Sequence, residues 1–162
     1  MNKKWFLTEK IIACLITLWG MYTLYGIVAT IYGMISSGFV KSGNTTYLQI
    51  LQTDHLGILL SLGCIFGGIF LFYSDKTGWL LTLICSSMFA ISLFMSAAAN
   101  RDNVKKTALF FYQSYSVTAI LFVIILILLI QKPFREKYQP TPKNWRTAGL
   151  IFIVLLADKI LM

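Results

Sequence analysis

The strongest constraint on this chain is a series of four long apolar stretches separated by short polar segments. They run over Ile11–Ile35, Leu56–Tyr73, Trp79–Ala99 and Ala108–Ile130. A helix rises ~1.5 Å per residue and the hydrocarbon core of a bilayer is ~30 Å thick, so about 20 mostly apolar residues cross it. The sequence therefore predicts an all-α integral membrane protein, an up-down bundle of four transmembrane helices.

Composition agrees with this interpretation. Of 162 residues, 57% are hydrophobic and 12% charged, and the mean hydropathy is +0.74, whereas soluble domains carry about 25% charged residues. The first apolar stretch runs on to Ile35, beyond the ~15 residues of a signal-peptide core, which favours a retained span. The four spans use most of the chain, so we expect a single membrane domain over residues 1–162.

The C-terminal segment predicts one further helix, over residues 142–162. Thr141 and Pro142 suit the N-cap and first positions of a helix. Its uninterrupted apolar run, Gly149–Ala157, is short and is followed by Asp158, which we expect either to pair with Lys159 or to lie among lipid headgroups. At the standard rise, however, about 20 residues extend ~30 Å. This favours a short fifth span over a helix lying at the membrane interface.

Basic residues are distributed unevenly between the two sides of the predicted bundle. The side of the N-terminus carries Lys3, Lys4, Lys10, Lys76, Lys132, Arg135, Lys137, Lys143 and Arg146, and the other side carries Lys41, Arg101, Lys105 and Lys106. Positive residues concentrate on the cytoplasmic side of membrane proteins. We therefore expect a bacterial-type inner (plasma) membrane protein with a cytoplasmic N-terminus, and no nucleic-acid partner.

Glycines at helical spacing predict close helix packing. Gly63 and Gly67 form a GxxxG pattern that Gly68 follows directly, and Gly26 and Gly33 stand seven residues apart in the first span. Small residues at such spacing allow helix backbones to approach closely. We take all five glycines as candidate packing residues, either within the chain or against another protomer.

Polar side chains inside the spans allow two interpretations. Tyr25 lies with Tyr22 and Tyr32 on one side of the first span, and Tyr112, Gln113 and Ser116 lie in the fourth. Polar groups in lipid need partners, which predicts a hydrogen-bonded network between helices. The alternative is a water-filled vestibule that opens away from the cytoplasm, with basic residues at its rim.

Residue types that carry chemistry are scarce. The four stretches contain no Asp, Glu, Lys, Arg or His, and charged groups within spans are what usually marks transporters and membrane enzymes. His55, the single histidine, stands beside Asp54, which we expect to cap the second span. Because zinc sites take at least three protein ligands, this pair is a poor metal site. Cys14, Cys64 and Cys85 fall in three different spans and are expected to be buried thiols without disulfides.

The sequence thus favours no catalytic, cofactor or metal site and no enzymatic function. We expect a non-enzymatic polytopic protein that acts through helix–helix contact as an accessory, immunity-like or scaffold subunit. Its expected partners are membrane lipid and either another protein or a second copy of itself. The alternative is a homo-oligomeric pore or small transporter for an ion or small solute.

Overall fold

The computed structural model describes residues 3–37, 44–100 and 106–161, with the side chains of 44–48, 50–51, 99–100 and 106–114 excepted. Six helices make up this part of the chain. They are α1 (Lys3–Ser36), α2 (Asn44–Phe72), α3 (Lys76–Asn100), α4 (Lys106–Ile130), α5 (Lys132–Tyr138) and α6 (Pro142–Leu161). No strand occurs in these ranges, so the all-α prediction is confirmed.

Three helices, α1, α2 and α3, are long and apolar enough to cross a membrane. A fourth is counted when Tyr115–Ile130 of α4 is taken together with α5, from which it is bent by 59°. The helix α6 is outside this group because charged residues stand near both of its ends. Among the described residues, three to four helices therefore have the length and composition of membrane spans.

The helices extend beyond the predicted spans. α1 begins at Lys3 instead of Ile11, and α2 begins at Asn44 instead of Leu56. Apolar length detects only the part of a helix that suits hydrocarbon, whereas a helix satisfies its own backbone hydrogen bonds in water as well. Asp54 therefore lies inside α2 and does not cap it, which corrects the sequence-based expectation.

Backbone hydrogen bonds in the α2–α3 connection cap the C-terminus of α2. The backbone N–H of Ser74 donates to Leu71 O at 2.8 Å, and that of Asp75 donates to Phe70 O at 2.9 Å. Ser74 takes the left-handed conformation, with φ 61°, at a position that glycine usually occupies. Asp75 Oδ1 then accepts from the backbone N–H of Thr77 at 2.9 Å and begins α3.

Glycines of α2 lie at two different helix contacts. A Cβ placed on Gly67 would lie 3.1 Å from the backbone nitrogen of Thr82, and one on Gly63 would lie 2.5 Å from Cys85 Sγ, both in α3. A Cβ on Gly68 would lie 2.7 Å from Ala13 O in α1. The consecutive glycines Gly67 and Gly68 thus allow α2 to approach α3 on one side and α1 on the other.

The glycines of α1 differ from these. No described atom lies within 4 Å of a Cβ placed on Gly26 or Gly33, so neither makes a close contact inside the described chain, contrary to a packing role there. The close approach of α1 to α2 occurs instead at Gly20, where a Cβ would lie 2.7 Å from Ser61 O.

The helix α6 runs along the outside of the α2–α3 hairpin. Near its start, the ring of Trp145 lies edge-on to Trp79 with centroids 5.7 Å apart. Near its end, Asp158 Oδ2 lies 2.9 Å from His55 Nε2 in the fourth turn of α2. Trp79 lies near the start of α3, and His55 lies in the first half of α2, which runs antiparallel to α3. The two ends of α6 therefore lie at opposite ends of the bundle.

The core lies between α1, α2, α3 and the second half of α4. Phe89 of α3 stacks on Phe122 of α4 at 5.4 Å, and Trp19 of α1 lies edge-on to both rings. Toward the end where α1 begins, the buried side chains include Leu71, Trp79, Leu129, Phe134 and Tyr138. The helix α5 contributes Phe134 and Tyr138 to this second cluster, which holds α5 beside the polar site described next.

Candidate functional site

A buried charge lies at the end of the bundle where α1 begins and α4 ends, which we call the basic end. Glu9 of α1 is fully buried, and its Oε2 lies 2.5 Å from Lys137 Nζ of α5. Its Oε1 accepts from Ser74 Oγ at 2.7 Å. Lys137 also donates to Ser74 Oγ at 2.8 Å. We call Glu9, Ser74 and Lys137 the basic-end cluster.

Three separate elements position this cluster. Glu9 comes from the first half of α1, Ser74 from the α2–α3 connection and Lys137 from the last turn of α5. The left-handed conformation of Ser74 is unfavourable for a residue with a side chain, but it places the hydroxyl between the other two groups. The cluster therefore ties α1 and α5 to the hairpin that separates them in sequence.

Several aromatic side chains pack α5 against the rest of the bundle. Trp79 is fully buried, donates from Nε1 to Leu129 O at 3.0 Å, and stacks on Tyr138 with centroids 5.8 Å apart. Trp5 of α1 lies edge-on to Phe134 at 5.8 Å. Because these rings fix α5 on the end of the bundle, Lys137 is held in position to reach Glu9.

Tyr138 is buried beside the ion pair of the basic-end cluster. Burial, followed by the negative charge of Glu9, raises the pKa of the Tyr138 phenol well above its ordinary value. The ammonium group of Lys137 lies 5.2 Å from the centroid of the same ring, in the range of a cation–π contact. The site therefore holds one carboxylate, one ammonium and a neutral phenol.

The contact between Lys137 and Ser74 has the residue types of a serine–lysine nucleophile pair, but its surroundings differ from one. Such a pair needs a base that is free to take the hydroxyl proton, whereas here the lysine contacts the Glu9 carboxylate at 2.5 Å. Ser74 Oγ is likewise placed to donate to Glu9. This arrangement fits a structural ion pair and not an activated nucleophile.

Sequence reasoning missed Glu9 because it lies two residues before the first apolar stretch. A signal was present, since Glu9 is the single acidic residue among the first 53 and is surrounded by Lys3, Lys4 and Lys10. An isolated carboxylate at the edge of a span needs a partner. The sequence does not say that the partner comes from a helix near residue 137.

At the opposite end of the bundle, His55 and Asp158 form a more exposed pair, with side-chain exposures of 44% and 38%. Asp158 thus contacts His55 of α2, whereas the sequence predicted either a pair with Lys159 or a place among lipid headgroups. Within the described ranges, no group of three or more His, Cys, Asp or Glu side chains is arranged to hold a metal ion. The three cysteines are free thiols, and Cys14 is exposed, although it was expected to be buried.

The predicted polar network is not assembled around Tyr25. Tyr25 is 74% exposed, and Tyr22 and Tyr32 are similarly exposed on the outside of α1, so these tyrosines do not line an interior vestibule of the described chain. Tyr112 and Gln113 lie outside the described side chains. Ser116 is partly buried in α4.

A groove of about 330 Å³, whose surface is mainly apolar, lies elsewhere, between the second half of α1 and α2. Its lining includes Thr23, Thr30, Asp54 and Ser61. Thr23 Oγ1 and Ser61 Oγ are hydrogen-bonded at 2.8 Å. This is the place where the described residues bring a carboxylate and several hydroxyls to one surface of the α1–α2 pair.

Comparison of the chain with models of protein families, with curated proteins and with solved structures found no match.

Proposed function

We propose that this chain is a polytopic protein of a bacterial-type inner membrane that acts by helix–helix contact, as an accessory, immunity-like or scaffold subunit. The observation that carries the proposal is the outer face of the second half of α1. Along it, small and aromatic residues recur three, four and seven positions apart, so that they share one side of the helix. These residues are Tyr22, Tyr25, Gly26, Ala29, Tyr32 and Gly33, and all are exposed.

This face has the character of a contact surface for another membrane helix. Gly26, Ala29 and Gly33 allow a second backbone to approach closely. Tyrosine side chains supply large contact area with a polar tip and are enriched in protein interfaces. We call the six residues the α1 outer face, and we propose a transmembrane helix of a partner or of a second copy as its occupant.

The exterior of the bundle supports placement in a membrane. Large apolar side chains are more than half exposed on α1, α4 and α6, including Leu18, Ile127 and Val154, while Glu9 and Ser61 are buried. An apolar exterior of this extent is unfavourable in water and suits lipid. The nine basic residues on the N-terminal side support a cytoplasmic basic end.

The position of α6 supports a short fifth span. It reaches from Trp79 at the basic end to His55 at the opposite end, and 20 residues extend ~30 Å. Cysteines introduced at Lys132 and Leu161, in a background without native cysteines, test this with a membrane-impermeant reagent in intact cells. We expect Leu161→Cys to react and Lys132→Cys to be protected until the membrane is opened. Equal protection of both would place α6 at the cytoplasmic interface.

The contact proposal is tested by Gly26→Leu, because no described atom lies within 4 Å of a Cβ placed on Gly26 and the groove beside it leaves room for a side chain. Gly149→Leu on α6 is the matched control, since Gly149 is also a helical glycine with open space around it. We expect the parent chain and Gly149→Leu to purify in mild detergent as a stoichiometric assembly, and Gly26→Leu to purify as a monomer. A monomeric parent, or an assembly that survives Gly26→Leu, would contradict the proposal.

A second candidate is the homo-oligomeric pore or small transporter, which the carboxylate of Asp54 and the hydroxyls of Thr23, Thr30 and Ser61 in the α1–α2 groove favour. A carboxylate near a span end that shares a groove with hydroxyls suits a hydrated cation. Liposomes that contain the parent chain, with cations and anions offered separately, decide between the two. Ion flux through the parent chain that Asp54→Asn abolishes would support the pore and contradict the contact proposal. Vesicles that remain tight with the parent chain would exclude the pore.

A further inference from the structure

Two grooves follow each other along the same pair of elements, α1 on one side and α4 continued by α5 on the other. The basic groove, of about 880 Å³, is lined by Lys3, Trp5, Phe6, Lys132, Pro133, Glu136 and Lys137. The apolar groove, of about 320 Å³, is lined by α1 residues between Thr8 and Trp19 and α4 residues between Thr118 and Leu128. The linings follow each other closely along α1, from Phe6 to Thr8, and are separated on the other side by the bend between α4 and α5, so the two grooves are neighbours.

The basic groove is suited to an anionic group. Three of its lining residues are lysines, against one carboxylate, that of Glu136. Lys137 is already paired with Glu9 at 2.5 Å, and Lys132 contacts Glu136 at the longer distance of 3.6 Å, with both of the latter side chains well exposed. An anion can therefore be held mainly by Lys3 and Lys132, with Lys137 adding positive charge from one wall.

The apolar groove is suited to a hydrocarbon chain. Ile11 and Leu15 of α1 face Leu121 and Ile124 of α4 across it, and these side chains are about half exposed. The edge-on contact of Trp19 with Phe122, at 5.4 Å between centroids, lies at its far end. An apolar groove between α1 and α4 thus neighbours a positively charged groove at the basic end.

From this juxtaposition we propose that the α1–α4/α5 groove binds one anionic phospholipid, its phosphate held by Lys3 and Lys132 and an acyl chain lying between α1 and α4. The proposal rests on the membrane location proposed above. Basic pockets at the cytoplasmic ends of membrane helices are a known type of site for anionic headgroups. The apolar groove beside the basic one favours a lipid over a free phosphate, because a free phosphate would use the basic groove alone.

The test measures thermal unfolding of the purified full chain in a non-ionic detergent while lipid is added. We expect phosphatidylglycerol to raise the unfolding temperature saturably, and phosphatidylcholine or inorganic phosphate at the same concentration to leave it nearly unchanged. Lys3→Gln and Lys132→Gln should each weaken the apparent phosphatidylglycerol affinity by about fivefold, the effect of one basic residue at an anionic surface. Leu121→Trp, which fills the apolar groove, should weaken it without any change of charge.

Lys143→Gln is the matched control, because it removes one positive charge from the same end of the bundle but from α6, outside the groove. An equal loss of affinity in Lys143→Gln would show a general charge effect and overturn the proposal. Equal stabilisation by inorganic phosphate would replace the lipid by a free anion. Failure of the membrane location would appear differently, as recovery of the chain in the soluble fraction of cells.

Discussion

The two halves of α1 have similar apolar composition but opposite surroundings. The buried residues of this helix, Glu9, Ile12, Ala13, Ile16 and Gly20, all lie between its start and its middle turn. In the second half the side chains of Tyr22, Tyr25 and Tyr32 are exposed, and Gly26 and Gly33 face open space. One continuous helix therefore packs against its own chain over one half and presents an unoccupied face over the other.

The difference shows that a small residue in a membrane helix does not by itself indicate an internal contact. Gly20 and Gly26 are both glycines in the same apolar helix, yet a Cβ at Gly20 would meet Ser61 O at 2.7 Å, and one at Gly26 meets no described atom within 4 Å. The first half is bound to the fold by the basic-end cluster. The second half is available for the proposed partner, and substitutions in the two halves should behave differently.

The largest effect is expected in the first half, from Glu9→Leu. This change leaves Lys137 without its carboxylate, and breaking one side of a buried ion pair costs ~3–5 kcal/mol. We expect the lower end, about 3 kcal/mol of unfolding free energy, because Lys137 is 24% exposed and can turn toward water. Unfolding of the detergent-solubilised chain, followed by near-UV circular dichroism, measures the loss.

The double variant Glu9→Leu with Lys137→Met serves as the control, since it removes both charges together. Replacement of a buried ion pair by apolar side chains of similar volume is often neutral, so stability should largely return. If the double variant is as unstable as Glu9→Leu alone, the packing at this position and not the ion pair holds α1 in place.

Alanine substitutions at Gly20 and Gly26 are expected to change the stability of the chain in opposite directions. Gly20→Ala places a methyl group against a backbone carbonyl that cannot move easily, and such overpacking costs ~1–3 kcal/mol. Gly26→Ala meets no described neighbour and should stabilise the isolated chain by ~0.5–1 kcal/mol, the advantage of alanine over glycine within a helix. Parallel thermal unfolding of the two variants measures this contrast, and a loss of stability in both would remove the distinction between the halves.

The smallest effect is expected at the border between the halves, from Thr23→Ala. This removes the hydrogen bond to Ser61 Oγ, and such bonds between membrane helices average ~0.6 kcal/mol. Ser61 keeps its bond to Gly57 O at 2.7 Å, so no buried group loses its last partner. Thr30→Ala is the control, because Thr30 donates to Gly26 O of its own helix, and it should change unfolding less than Thr23→Ala does.

Much of the helical architecture could be predicted because it depends on local properties of the chain. The last residue of α4, Ile130, and the first residue of α6, Pro142, agree with the predicted boundaries, since proline and charged residues mark both positions directly. The short connection at Ser74 and Asp75 required α2 and α3 to be antiparallel neighbours. The helix α5 could not be expected from its proline-containing, basic sequence, because it is stabilised by the contacts of Phe134 and Tyr138 with the rest of the bundle.

The candidate site was much less predictable. Gly63, Gly67 and Gly68 lie at close helix contacts, whereas Gly26, Gly33 and Tyr25 lie on an open face, although the sequence pattern treated them alike. The partner of Glu9 is 128 residues away, and no local pattern connects the two. His55 and Asp158 likewise meet only because α6 returns along the hairpin.

By itself the sequence determined that the chain is helical, that several helices have membrane-spanning length, and on which side of the predicted bundle most basic residues lie. These properties depend on apolar length, on short connections and on the order of charges along the chain. Only the tertiary structure decided that Glu9 is buried with Lys137, that α6 extends from one end of the bundle to the other, and which face of α1 is covered. The physical reason is that burial belongs to a pair of surfaces, and a helix face is buried only when a second element lies against it.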